Sequence, residues 1–309
     1  MRFMKTSLSI FPGKTITRGQ RKRIQHILGR FILYFLVLLL VFVTVAPFAW
    51  MVLSSISPQT ELSAVPPHWI PNQPTLERYK ALFQGASDSS AVLPAGVEKF
   101  VHGFTNSMVV SIITTIICVV TGSMLAYALA RLPIPGKPKV MVGILGSQML
   151  PIIVVVIPLY LLMQQLKWMD SLRGLTMLYS GFLLPTVIWI MHNYFMTMPR
   201  DLEEAAMIDG CSRIGSFVRV ILPLSGPGLV AVSVFAFLSS WNEFFMALIF
   251  TASNAKTIPV VITEFSSQFG TDYGLMATGG VLGSIPPLIL ALVLQRYIVA
   301  GLTAGAVKG

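Results

Sequence analysis

FILYFLVLLLVFVTVAPFAWMVL, residues 31–53, is a run of 23 residues without one charged side chain. An apolar bilayer core about 30 Å thick is crossed by roughly 20 helical residues, so this run is long enough to span a membrane as a helix. It is longer than the apolar core of a cleaved secretory leader, and Trp50, Met51 and Val52 follow Pro47 where small residues would mark a cleavage site. The expectation is a retained span.

Outward from it, five more windows have the same character: 104–130, 140–166, 175–198, 228–251 and 275–294, interrupted by the single carboxylate of Glu243. With 54% hydrophobic residues, 11% charged residues and a mean hydropathy of +0.76, the 309-residue chain has too little charge to solvate a soluble surface. The predicted fold class is an all-α membrane protein of six spans. A basic tail (1–30) and an external loop (54–103) flank the first span; the remaining five occupy 104–298, with a charged segment at 199–223 and a tail at 299–309. Six crossings put both ends on one side, and sixteen of the 22 Lys and Arg residues then fall on that side against six on the other. Positive-inside topology makes that side cytoplasmic. This accounts for the net charge of +10 without a nucleic-acid partner, although Arg21, Lys22 and Arg23 are also placed to touch anionic lipid. The external loop, with Pro66, Pro67, Pro71 and Pro74, is expected to lie stiffly across the outer surface.

Between the fourth and fifth windows, Pro199, Asp201, Glu203 and Glu204 suit a helix N-terminus, where the backbone dipole favours anions. Leu202, Ala205, Ala206 and Ile208 or Asp209 recur at helical spacing and form one apolar face, and Gly210 supplies a left-handed stop. Ser212 can cap a second helix carrying Ile214, Phe217, Val218 and Ile221 on one face. The pattern is helix, glycine turn, helix. It fits two roles equally: a rigid lever for a cytosolic partner, or an amphipathic loop on the membrane surface.

Glu204, Ala205, Ala206, Gly210, Leu222 and Pro223 stand at the spacing of the EAA signature and resemble that of ABC importer membrane subunits, with Val220 where the family usually carries isoleucine. The stretch 295–309, the sequence Trp241, Asn242, Glu243 and the outer-loop residues Pro74, Thr75, Leu76 and Tyr79 are similar to those of carbohydrate-importer permeases of the maltose type, specifically the smaller six-span subunit. The resemblance implies a type I importer bundle in the cytoplasmic membrane, carrying a sugar or oligosaccharide such as maltose, maltodextrin or trehalose. It implies a second permease, two copies of an ABC ATPase and an extracytoplasmic solute-binding protein as partners. Glu204, Ala205, Ala206, Asp209, Gly210, Leu222 and Pro223 would couple to the ATPase, and Leu302, Thr303, Gly305, Lys308 and Gly309 would reach it through the tail. No cofactor is expected in this chain; ATP and Mg would sit in the partner ATPase.

Direct reading of the residues agrees that the chain is no enzyme. Gly13, Lys14, Thr15 is no phosphate-binding loop, because Leu8 stands where its first glycine belongs, and no catalytic cluster is apparent. Cys118 and Cys211 form no disulfide framework or zinc pattern. Glu243, as an intramembrane carboxylate, is a candidate for the solute path or, with more weight, a brace against a partner subunit, together with Trp241 and Asn242. Asn106, Gln148, His192 and Asn193 are read first as interhelical hydrogen-bond formers and second as path residues. Glycerol 3-phosphate or another polar solute is the alternative cargo. A secondary transporter is disfavoured by the lone intramembrane carboxylate and the absence of visible repeats.

Overall fold

The computed structural model describes residues 18–66, 68–84, 96–267 and 270–304, with backbone alone at 18–24, 267, 270 and 296–304. The helices run in order as α1 (Arg18–Ile56), α2 (Gln59–Leu62), α3 (Glu77–Gln84), α4 (Gly96–Arg131), α5 (Lys137–Ser147), α6 (Ile152–Gln165), α7 (Leu172–Thr197), α8 (Asp201–Ile208), α9 (Arg213–Ser216), a π turn (Phe217–Ile221), α10 (Leu222–Leu224), α11 (Gly226–Trp241), α12 (Phe245–Phe250), α13 (Ile258–Thr263) and α14 (Tyr273–Ala304). Among the described residues the one extended pairing is antiparallel, Ser266–Ser267 with Gly270–Thr271.

Among the described residues four helices are long and apolar enough to cross a membrane: Gln25–Ile56, Gly96–Arg131, Leu172–Thr197 and Tyr273–Gln295. They coincide with the first, second, fourth and sixth windows. The other two windows are not continuous helices, which corrects the simple six-helix expectation. Across 140–166, α5 and α6 meet at 89°. Pro151 caps α6 in extended backbone, and a residue before proline avoids helical geometry. Across 228–251, the helix stops at Trp241 and resumes at Phe245. Helices of 11 and 14 residues reach about 16 and 21 Å, so neither α5 nor α6 crosses an apolar core by itself.

The chain divides into two compact units between Met51 and Val52. In the first, the large apolar side chains from Phe31 to Val45 are 46–70% exposed, as suits a surface made for lipid or another subunit. The second is organised around α4. Ser107, Ser111, Thr114, Cys118, Gly122 and Ala126 recur at three- and four-residue steps along its buried face. Such a stripe of small side chains lets helices approach closely where dispersion and packing replace the hydrophobic effect. A Cβ on Gly122 would lie 2.6 Å from Val187 Cγ1 of α7. Three apolar clusters flank α4. One joins Tyr127 to Val187, Phe195, Phe217 and Ile221; a second joins Val110 to Leu175, Tyr179 and Phe250; a third joins Phe100 to Leu82, Val261 and Phe265.

The stretch after α1 is folded back and tied, more than proline stiffness alone predicts. Arg78 donates to the Ser57 carbonyl and to Gln59 Oε1 (3.4 Å), and its Nε lies 3.5 Å from Asp272 at the start of α14. Ser55 Oγ and Tyr79 Oη are hydrogen-bonded at 2.7 Å, and Thr278 Oγ1 donates to the Ser55 carbonyl at 3.2 Å.

Candidate coupling site

Segment 199–223 forms the helix–turn–helix that its sequence predicts. The first helix, α8, carries Asp201, Glu203 and Glu204 in its first turn. Gly210 ends it at φ +87°, with its N–H on the Met207 carbonyl (3.1 Å) and the Cys211 N–H on the Ala206 carbonyl (2.9 Å). This pair of bonds is the Schellman closure, which satisfies carbonyls that a helix end leaves open. Ser212 caps the second helix, its Oγ accepting the Gly215 N–H at 3.1 Å. The helix continues to Leu224 and bends by 77° into α11 at Ser225.

Which faces point inward is less simple than the periodicity suggests. From α8 only Ala206 is buried, while Leu202 and Met207 are exposed and Ile208 is 85% exposed. The expected single apolar face of α8 is therefore largely outward. In the second helix Phe217 and Ile221 enter the core, but Ile214 is 77% and Val218 51% exposed. The division falls where the helix passes through a π turn at Phe217–Ile221. Its i→i+5 bonding widens the backbone there, with Phe217 and Ile221 inward and Ile214 and Val218 outward. Glu204, Ala205, Asp209 and Gly210 all lie on the exposed surface, as do Ile208 and Ile214. Leu222 packs half-buried against the cluster around Phe217, and Pro223 is exposed at the bend into α11. Of the tail residues, Leu302 and Thr303 continue the backbone of α14, while Gly305, Lys308 and Gly309 lie outside the described residues.

The knob's inner attachment uses residues that sequence reasoning passed over. Glu203 Oε1 lies 3.0 Å from Arg131 Nε at the end of α4, and the two side chains are 12% and 5% exposed. The atoms are not aligned for a hydrogen bond, so the attraction is Coulombic. Glu203 Oε2 accepts the Tyr127 hydroxyl at 3.2 Å. Arg131 Nη2 donates to the carbonyls of Phe195 (2.8 Å) and Met198 (2.7 Å), capping the C-terminus of α7. The Glu204 side chain makes no hydrogen bond or ion pair among the described residues.

Several of the remaining sequence candidates are tied into local structure. Asn106 donates to the carbonyls of Asn254 (2.9 Å) and Lys256 (3.0 Å), and Gln148 to that of Phe182 (2.7 Å), where it borders an apolar cavity of about 290 Å³. Asn193 and Asn242 are exposed, and His192 Nδ1 is buried without a hydrogen-bond partner. Trp241 is buried, stacks on Phe237 and donates to the Gly283 carbonyl at 3.0 Å. Glu243 stands in the break between α11 and α12, where its carboxylate accepts the N–H groups of Met246 (2.9 Å) and Ala247 (3.2 Å). Those bonds offset the desolvation that makes an intramembrane carboxylate costly.

A second attachment unforeseen in the sequence is Asp170, in the turn between α6 and α7. Its carboxylate accepts the N–H groups of Ala252, Ser253, Asn254 and Ala255 at 2.9–3.2 Å, fastening the loop after α12. Burial by itself raises the Asp170 carboxyl, but these four donors more than reverse it and hold the group down at about 2. Because the folded value is depressed, the clamp stabilises fully above the ordinary aspartate value of about 3.9 and loses that contribution as pH falls toward 2. Asp170→Asn is expected to speed amide exchange at 252–255 by about tenfold and to lower stability by about 1–2 kcal/mol, scaled down because the site is partly wet. Hydrogen exchange at neutral pH, repeated between pH 4 and 2, checks it; exchange unchanged in the variant contradicts the clamp.

Comparison with known proteins agrees with this architecture. The family model described as "Binding-protein-dependent transport system inner membrane component" matches residues 119–304. A trehalose/maltose transport system permease of Thermococcus litoralis is 34% identical over 92% of this chain and 99% of its own length. A trehalose transport system permease of Mycobacterium tuberculosis is 40% identical over 78% and 84%, and a diacetylchitobiose uptake system permease of Streptomyces coelicolor is 34% identical over 86% and 92%. A chain of a bacterial ABC transporter involved in alginate import has the same fold, with a TM-score of 0.71 over 94% of this chain and 99% of its own length at 19% identity. With the family model and the relatives spanning most of its length, the chain belongs to the inner-membrane components of binding-protein-dependent transport systems, the permease subunits of ABC transporters.

Proposed function

We propose that this chain is one of two permease subunits of an importer for a sugar or oligosaccharide, and that its helix–turn–helix at 199–223 is the lever moved by a cytoplasmic ATPase. The carrying observation is the two-sidedness of that element: its inner face is fastened to α4 and α7 by Arg131, Glu203 and Phe217, while Glu204, Ala205, Ile208 and Ile214 stand outward around a rigid glycine turn. Exposed apolar side chains beside a carboxylate on a braced element suit a partner's cleft better than free solvent.

In this reading the bent pair α5 and α6 makes one crossing, α11 with α12 makes another, and six crossings leave both ends in the cytoplasm. Two copies of the ATPase hold ATP and Mg, the tail around Leu302 to Gly309 reaches them, and a solute-binding protein delivers cargo from outside. The sugar assignment rests on what the relatives' names say of them: trehalose, maltose and diacetylchitobiose. The alternative, an amphipathic hairpin resting on the membrane, is disfavoured because exposed Ile208 stands one helical turn from exposed Glu204 and next to exposed Asp209, so that face of α8 is not a separate apolar one.

Two measurements test the lever. Cysteines at Ile208 and Ile214, rather than at buried Ala206, are expected to crosslink to the ATPase in complexes captured through this chain. Glu204→Lys and Gly210→Val are expected to reduce sugar uptake per ATP hydrolysed by about tenfold or more, with membrane insertion unchanged. At Gly210 the cause is the φ of +87°, which strains any β-branched residue, since no neighbour crowds its Cβ position. Normal uptake by both variants, or no ATPase crosslink from either cysteine, excludes the lever.

A further inference from the structure

We propose that Arg131, Glu203 and Tyr127 form the joint that makes the lever and the helices α4 and α7 move as one body, with Glu203 as a positioning residue whose role differs from that of neighbouring Glu204. The proposal rests on the lever reading above and deepens it. Successive residues on a helix are turned by about 100°, so adjacent carboxylates in α8 point to different surroundings. Glu204 is exposed, whereas Glu203 is turned into the bundle.

Four elements converge there. Arg131 is the last residue of α4, its guanidinium holds the Phe195 and Met198 carbonyls at the end of α7, and its Nε faces Glu203 of α8. Tyr127, one turn earlier in α4, gives its hydroxyl to the same carboxylate. Its ring lies 4.4 Å from that of Phe217, the first residue of the π turn, and edge-on to Phe195 at 6.0 Å. Both helices of the lever are thus attached at one point, α8 by charge and the second helix by aromatic packing. No other side chain of α8 makes a hydrogen bond or ion pair among the described residues. Removing the charge of Glu203 therefore frees α8 from α4 while leaving its outward surface, the Schellman turn and the Phe217 contact in place.

A buried ion pair is poor evidence for added stability, because desolvation offsets most of its attraction. It is better suited to fixing one geometry: the guanidinium must meet two carbonyls and one carboxylate together, and few placements of α8 satisfy all three. Displacement of the knob by a partner is then delivered to α4 and α7 at the same time. Those two helices form the small-residue interface that crosses the membrane.

The test uses the assembled complex, captured through this chain with its ATPase and second permease, with one spin label at Thr263, in α13 against α4, and the other on the second permease, so that the distance reports motion of α4. Trapping the ATPase with ATP and vanadate is expected to change the label distance in the parent. In Glu203→Gln the crosslink of residue 208 to the ATPase and basal ATP turnover stay within about twofold of the parent, while the trapped change in distance falls below roughly half. Tyr127→Phe, which removes one hydrogen bond and keeps the ring, gives a smaller loss in the same direction. A parent-like distance change in Glu203→Gln overturns the joint. So does a reduced change that only follows a lower yield of complex, which would mark a purely structural role. Failure of the joint is separable from failure of the lever: in the first case Glu204→Lys still uncouples, and in the second residue 208 never meets an ATPase.

Discussion

Replacing Arg131 with alanine is expected to lower the stability of the purified protein by about 3–5 kcal/mol, the range found when one member of a buried pair is removed. Glu203 would remain in a site where its side chain is 12% exposed, with only the Tyr127 hydroxyl left to offset the burial of its charge. The Phe195 and Met198 carbonyls would lose their donor at the end of α7 as well. Arg131→Lys is expected to fall between the two, since an ammonium can meet the carboxylate but lacks the planar fork that reaches both carbonyls. Arg131→Ala combined with Glu203→Ala should cost less than Arg131→Ala alone, because no buried charge is then stranded. Unfolding curves in detergent for the four proteins decide it. A loss below about 1 kcal/mol in Arg131→Ala would mean that water reaches Glu203 freely and that the pair is not closed.

The helix–turn–helix of the knob was legible in the sequence because local chemistry wrote it. A proline and three acids open α8, Gly210 stands where a left-handed residue is needed, and Ser212 caps the next helix. None of these depends on distant residues. The inner attachment was not legible for the opposite reason. Glu203 and Glu204 are chemically identical neighbours, and what separates them is Arg131, 72 positions before Glu203. Asp170 posed the same difficulty on a larger scale, since its four amide partners lie more than eighty residues away. The stripe from Ser107 to Ala126 was readable in principle: small residues at helical spacing in an otherwise large-residue window mark the face that another helix approaches.

Hydropathy located the apolar stretches but could not see where helices break inside them. It registers apolar length, and a bent pair of helices supplies that length as well as a straight one. Proline gave a partial warning. Pro151 coincides with the 89° bend between α5 and α6, yet Pro47, Pro158 and Pro185 sit inside helices that continue. The fifth window breaks without a proline. There the signal was Glu243 itself: a carboxylate three and four residues before Met246 and Ala247 acts as the cap of a new helix, so a charge within an apolar window marked a helix start.

Gly174→Ala is the substitution within a span from which the largest loss is expected, about 3 kcal/mol or more. A Cβ at this position would lie 2.2 Å from the Trp168 carbonyl oxygen, which is backbone and cannot rotate aside. The same carbonyl accepts the Ser171 hydroxyl at 2.7 Å, and Ser171 Oγ in turn accepts the Gly174 N–H at 3.1 Å as the cap of α7. Moving Trp168 away therefore breaks the cap too, a further cost of about 1 kcal/mol. The effect should spread, because Asp170 lies in the same turn and holds the loop at 252–255. Gly181→Ala in the same helix is the control. No atom lies within 4 Å of its Cβ position, and alanine in a helix interior is favoured over glycine by up to about 1 kcal/mol, so this variant should be neutral or slightly more stable. Parallel melting of the two variants separates crowding from helix propensity: if Gly174→Ala melts like Gly181→Ala, the turn before α7 is looser than its geometry requires.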